Sequence, residues 1–429
     1  MLPQAGAQRQ RSDKEKSYQY ASLPSCPLWL SFLVFWGSKE YSACYKQTYL
    51  QLLDTSSARE PGLDLMRAIA ILWVMLWHMH FALRPGIWSG AANYGWMGVD
   101  LFFVLSGYLI GSQLLRPYTR GSRPSIGGFY MRRAFRVLPA YLTVLLFYFA
   151  IPAFREAPGL SPAWQFLTFT ENFRIDYAND QAFSHVWSLC VEEHFYLVLP
   201  LLILLLMRRP GFSKALAVIL GIFCFGIAIR AYIYTHQVQV FSRDDDAFAL
   251  AYVEKIYYPT HTRLDGLLVG VTLATIKTFR PAWWQRAMSH GYVLLVSGLA
   301  LSACAMWLFN DRLSFGGSVM GFPVLALGLG LLIASSIAPS SPLSKVRGFA
   351  LIAALAYSTY LIHKEIIHMV RLHLPRLVES RGWLALMAYF AFSFLAAFVL
   401  YLAIERPFLR LRERISARTA KTARLTATG

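Results

Sequence analysis

Charge is what this chain has least of. Charged residues fill 15% of its 429 positions and hydrophobic residues 56%. A soluble domain carries about 25% charged residues, so this composition excludes an ordinary soluble enzyme and points to a polytopic membrane protein. Acid is scarcer than base, with 23 Asp and Glu against 41 Lys and Arg. Such an excess could serve nucleic acid. There is no zinc-finger spacing and no basic amphipathic reading helix, so no nucleic-acid partner is expected. The excess flanks apolar runs, where it sets topology and meets membrane lipid. Cysteine is sparse too. Cys26, Cys44, Cys190, Cys224 and Cys304 are scattered without a C-x-x-C, which implies no disulfide framework and no metal site. No repeat of 20–50 residues is present.

What is present is a series of apolar runs long enough to cross a bilayer. They fall at 63–83, 97–115, 137–154, 186–207, 214–233, 260–277, 290–309, 318–338, 349–370 and 383–404. The expected fold is an all-α polytopic transmembrane helix bundle of about ten spans with both termini cytoplasmic. Counting span ends with the segments they adjoin, that orientation puts 28 basic residues inside and 12 outside, with Arg67 counted separately in the first span, as the positive-inside rule requires. Residues 1–60 read as an N-terminal extension, disordered or interfacial, or as a translation start assigned too far upstream. Their one apolar run, 27–36, is too short to span, and a signal peptide is disfavoured because a better membrane entry follows at 63. Residues 61–408 form the membrane domain and 409–429 a basic cytoplasmic tail. The outer loops 155–185 and 234–260 are too short for an appended domain.

The first span carries two residues that a membrane helix avoids, Arg67 and His78. Eleven residues separate them, so they share a face about 16 Å apart along the axis. His80 points elsewhere. In the second span, GVDLFFVLSGYLIG (98–111) sets Asp100 at about the depth of His78, where a carboxylate could fix the imidazole tautomer. Its glycines read as close-packing positions. Ser106 lies outside any G-x-S-x-G, so it is not expected to be a hydrolase nucleophile. RRAFRVLP (132–139) places Arg133 and Arg136 on one helix face. They serve either as positive-inside anchors or as a phosphate clamp. HVWSLCVEEHFY (185–196) sets Ser188 and Glu192 one turn apart. Cys190 has no flanking feature that marks a nucleophile. HTRLDGLLVG (261–270), YSTYLIHKE (357–365) and AIERPF (403–408) complete the polar blocks within spans.

In that order, these blocks resemble the acyltransferase-3 family of integral membrane acyltransferases over about residues 61–408. The resemblance implies transfer of an acyl group, commonly acetyl, from cytoplasmic acyl-CoA to a hydroxyl of an extracytoplasmic or lipid-linked glycan. A minority of such proteins acylate small molecules such as macrolides. It implies that Arg67 and His78 are a functional pair, Arg133 and Arg136 the family's R-x-x-R, and Ser188 and Glu192 its S-L-x-x-E. Two positions depart from the pattern: His194 stands where Gln is common, and Lys364 follows His363. The 429 residues include no SGNH-type domain, so a separate extracytoplasmic protein is expected where the acceptor needs one.

The expected scheme has Arg133, Arg136 and Arg67 holding the coenzyme A phosphates at the cytoplasmic side. His78 then acts as base or acyl carrier near the outer side. Glu192, Ser188 and Asp100 orient it or the acceptor. A thioester needs no further activation, so no metal is expected. The location implied is a bacterial inner membrane. A transporter or flippase is the competing class, because ionisable residues within spans also serve carriers. On the charge split, a cysteine at Thr119→Cys is labelled by an impermeant thiol reagent from the cytoplasmic side only. Labelling from the outer side only would invert the topology.

Overall fold

The computed structural model describes residues 60–80, 89–209, 211–380 and 382–428. The expectation for the N-terminal extension therefore lies outside the described residues, apart from Glu60. The described residues are overwhelmingly helical and contain no strand. The long helices are α1 Pro61–His80, α2 Met97–Leu115, α3 Ile126–Ala150, α4 Trp187–Leu206, α5 Phe212–Ile233, α6 Asp265–Phe279, α7 Gly291–Leu308, α8 Phe322–Ile337, α9 Ala350–His373 and α10 Gly382–Leu400.

Nine of these helices, with their flanking turns, are long and apolar enough to cross a membrane. The exception is α6. Its 15 residues extend about 22 Å, short of a hydrocarbon core of about 30 Å. Two ion pairs nonetheless tie it to both ends of its neighbours. Just before its start, Arg263 meets Asp100 in the first turn of α2 at 2.7 Å. Near its end, Lys277 meets Glu60, ahead of α1, at 3.7 Å. Among the described residues nine helices therefore meet the spanning length against about ten expected, and α6 is a shorter helix packed against α2. The π turns Gly317–Gly321 and Tyr401–Glu405 extend α8 and α10.

The helix α3 starts at Ile126, eleven residues before the expected span. Ser125 caps it by accepting from the Gly128 N–H at 3.2 Å, as a serine before a helix does. Arg133 and Arg136 thus lie within this helix, ahead of the apolar run but not of the helix itself. The C-terminal segment is helical as well, over Arg406–Thr428.

The most extensive helix contact among the described residues is between α2 and α6, and glycine makes it possible. A Cβ at Gly107 would lie 2.1 Å from the Leu267 carbonyl oxygen, and one at Gly270 2.3 Å from that of Val104. Small residues let two backbones meet, as membrane helices require. Around this pair the outer ends are pinned by buried charge. The Arg230 guanidinium, on α5, donates to both carboxylate oxygens of Asp265 at 2.6 and 3.0 Å and is fully buried. The Arg263 guanidinium is also buried, with Phe322 and Tyr257 rings at 4.1 and 4.6 Å.

Breaking a buried pair from one side leaves an uncompensated charge, which costs about 3–5 kcal/mol. Asp100→Asn is expected to lower the melting temperature in detergent sharply. Adding Arg263→Met to the same chain should recover part of the loss. A melt for Asp100→Asn equal to the parent protein would remove the pair from the fold's supports.

Candidate functional site

His78 lies in the last turn of α1 and faces α9. Its Nδ1 is 3.0 Å from the Val74 carbonyl oxygen and 3.0 Å from Nε2 of His363. The partner's own contacts settle the tautomers. Nδ1 of His363 faces two carbonyl oxygens, Tyr360 at 2.9 Å and Thr359 at 3.2 Å. A carbonyl accepts only, so this nitrogen carries the proton. In a neutral His363, Nε2 is then a lone pair, and His78 must donate to it from Nδ1. The same Nδ1–H faces Val74. His78 is therefore left with an unprotonated Nε2, which makes no hydrogen bond among the described residues.

This corrects the expectation for Asp100. Its carboxylate accepts from Arg263, and the imidazole of His78 is oriented by another histidine. Sequence reasoning missed His363. The available signal was YSTYLIHKE, where Tyr357, Tyr360 and His363 recur every three residues along one face of α9.

A second polar stripe runs down α4. His185, Ser188, Glu192 and Tyr196 are spaced by three, four and four residues and so share a face. The Ser188 hydroxyl lies 2.5 Å from the Tyr360 hydroxyl, which donates to the His185 carbonyl oxygen at 2.7 Å. Ser188 thus reaches His363 through Tyr360 rather than His78 directly. Glu192 accepts from Ser106 at 2.9 Å and from the Tyr196 hydroxyl at 2.6 Å. The Arg133 guanidinium sits over the Tyr196 ring, 4.8 Å from its centroid. Together the two stripes form one polar column from Arg133 up to His78.

The arginines differ in their partners. Arg136 is paired with Glu405, whose side chain is fully buried and also accepts from the Ser358 hydroxyl at 2.8 Å. Arg67 pairs with Asp64, one turn back, at 3.0 Å. It stands at the opposite end of α1 from His78, as the spacing predicts.

Two other features lie off this column. An apolar cavity of about 210 Å³ opens between α4, α5 and α6, lined by Phe195, Leu199, Ile222 and Leu268 among others. None of Arg67, His78, Asp100, Arg133, Arg136, Ser188 and Glu192 borders it. In the outer loop, Glu171 is fully buried and neither of its carboxylate oxygens has a hydrogen-bond partner among the described residues. Burial pushes its carboxyl well above the usual range, with Lys364 pulling the other way.

Two predictions follow from these contacts. Arg136→Ala strips buried Glu405 of its cation and should lower the melting temperature, and Glu405→Gln in the same chain should restore part of it. Arg133→Ala should melt near the parent value. Equal melts for all three would leave Arg136 without a structural role. For Glu171, the folded group binds its proton more tightly than the unfolded one. Stability is therefore lost as pH rises from the ordinary carboxyl range toward the raised value. Glu171→Gln should flatten that part of the stability profile, and an unchanged profile would refute it.

No solved structure matches the chain. O-acetyltransferase OatA of Staphylococcus aureus (strain NCTC 8325 / PS 47) is 30% identical, over 72% of this chain and 51% of that protein. A putative O-acetyltransferase of Staphylococcus aureus (strain COL) is 26% identical, again over 72% and 51%. The chain spans about half the length of the curated relatives it matches. A family model described as an acyltransferase domain matches residues 60–402, most of the chain and all the long helices up to α10. This integral membrane protein therefore belongs to the acyltransferase-3 family.

Proposed function

We propose that the protein is a membrane O-acyltransferase. In this reading it takes an acyl group, acetyl in the first instance, from cytoplasmic acyl-CoA. It delivers the group to a hydroxyl of an extracytoplasmic or lipid-linked glycan, from a bacterial cytoplasmic membrane. The observation that carries the reading is His78, whose Nδ1–H is committed to His363 and Val74 while Nε2 keeps its lone pair. That is the form a general base needs. The family match and the names of the relatives support acyl transfer to oxygen.

The steps follow from the chain's own residues. Arg133, with Arg136 and Arg67, holds the coenzyme A phosphates toward the cytoplasm. The slender thioester arm lies along the polar column beside Glu192 and Ser188. Nε2 of His78 takes the proton of the acceptor hydroxyl, and the oxygen attacks the thioester carbonyl. The C–S bond breaks, and the departing thiolate takes that proton from His78, which returns to its neutral form. His363 is a positioning residue: it holds the His78 tautomer and ring. Asp100 has no part in this step, because its partner is Arg263.

The test is transfer of label from acetyl-CoA to a glycan acceptor in membranes containing the protein. His78→Gln should be folded and inactive, since base assistance contributes about 10²–10⁴-fold. His80→Ala should be mild. His363→Gln should lower kcat with donor KM unchanged, as expected of a residue acting through His78. Substantial transfer by a normally abundant His78→Gln protein would sink the assignment. Movement of an unmodified solute, with no label on any acceptor, would favour a transporter.

A further inference from the structure

Beside the histidine pair, three more ligating side chains converge that the transfer steps do not use. Glu156 comes from the segment after α3. His185 comes from the short turn Ser184–Val186 ahead of α4, and Glu365 from α9. One ligand atom of each lies within 4.8 Å of the other two.

Two of the three are buried without partners. His185 is almost wholly buried, and neither ring nitrogen has a partner of good hydrogen-bond geometry among the described residues, although the Leu361 backbone lies within electrostatic reach. Glu365 is fully buried, and neither carboxylate oxygen has a hydrogen-bond partner among the described residues. A buried carboxylate needs donors or a cation, and a buried imidazole needs at least one partner. Both lack these at one place, with a third group alongside, and what they share is lone pairs facing inward.

The nearby cation does not fill the gap. Nζ of Lys364 pairs with Oε1 of Glu156 at 2.7 Å and lies 3.5 Å from the Ser184 hydroxyl. It makes no hydrogen bond to Glu365. Glu156 is itself held in place, by the Phe183 N–H on Oε1 at 3.1 Å and the Tyr148 hydroxyl on Oε2 at 2.8 Å. With both carboxylates ionised, Lys364 balances one and leaves the other uncompensated.

We propose that Glu156, His185 and Glu365 form a binding site for one divalent transition-metal ion of the zinc type. An imidazole with two carboxylates suits such an ion. Magnesium and calcium would require more oxygen ligands than converge here. Zinc takes nitrogen and oxygen ligands at about 2.0–2.2 Å, so rotamer adjustment of Glu365 and His185 closes the set. Three protein ligands leave the fourth position open. The ring of His185 is 5.3 Å from that of His363 and 6.4 Å from that of His78, centroid to centroid. The ion would therefore lie next to the proposed base. This inference rests on the ligand geometry and stands independently of the transfer reading. No sequence motif announces the site, because its ligands come from three separate segments.

The test uses the full chain purified in detergent, loaded with ZnCl₂ and dialysed. Elemental analysis should find about one zinc per chain in the parent protein and under about a tenth as much in His185→Ala and Glu365→Gln, if these ligands supply the affinity. ZnCl₂ should raise the melting temperature of the parent and leave those variants unmoved. Folded parent protein with no bound zinc and no zinc-dependent melt would overturn the site, leaving His185 and Glu365 to share a proton instead. Full zinc retention in both variants would overturn it too, since the metal would then sit elsewhere. A variant that does not fold leaves the decision to the parent protein's zinc content.

Discussion

The arrangement depends on one constraint: a charge within a bilayer-spanning bundle must find its counter-charge inside the protein. The ion pair between Arg263 and Asp100 meets it at the outer end of the central helices. The two-point contact of Arg230 with Asp265 meets it one helix further on. One pair joins segments distant in sequence and the other joins consecutive helices, so together they fix how α2, α5 and α6 align. Dispersion alone would hold these helices loosely, because lipid tails compete equally for apolar surface. The glycine contact between Gly107 and Gly270 then becomes possible, since the pairs above it set the register.

With register fixed, two helices present polar faces to each other. Tyr360 and His363 on α9 meet Ser188 and His185 at the head of α4, and His78 on α1 closes the group. Hydrogen bonds in a low-dielectric interior are directional and costly to leave unmade. Here the direction carries information. Two backbone carbonyls of α9 force a proton onto one nitrogen of His363, and that proton dictates which nitrogen of His78 keeps its lone pair. The backbone of a helix thus sets the chemistry of a side chain on another.

Much of this was legible in the sequence. Apolar length gave the spans, and the bias of Lys and Arg gave a consistent direction for each. The eleven-residue spacing placed Arg67 and His78 at opposite ends of one face. Pairing was not legible. The sequence suggested His78 as the partner of Asp100, but hydropathy does not say which neighbour a carboxylate meets, and the partner is Arg263, just ahead of α6. Arg263 and Arg230 counted as outer-loop charge, and both are buried. The apolar run gave the span at 137–154 but not the start of α3 at Ile126, because the polar RRAFR hides a helix that arginine favours and Ser125 caps. Helix α6 passed as an ordinary span because its shortness is compensated by burial against α2, which no single-helix measure registers.

Under the proposed reading, the polarity of the column explains how one active site serves two compartments. The phosphates of the donor are multiply charged and would be expensive to carry inward. The guanidinium groups that suit them lie on α3, well below His78. The thioester arm carries no charge, so it can enter a bundle interior lined by hydroxyls without needing a counter-ion. Only the acyl carbon has to reach the outer imidazole. The charge separation along the column therefore needs no moving helix to explain transfer across the membrane. A carrier would need the opposite, a central site that either side can reach in turn. Instead, His78 is bonded to α9 near the outer end and Arg136 is bonded to buried Glu405, a pair of fixed contacts at two different depths.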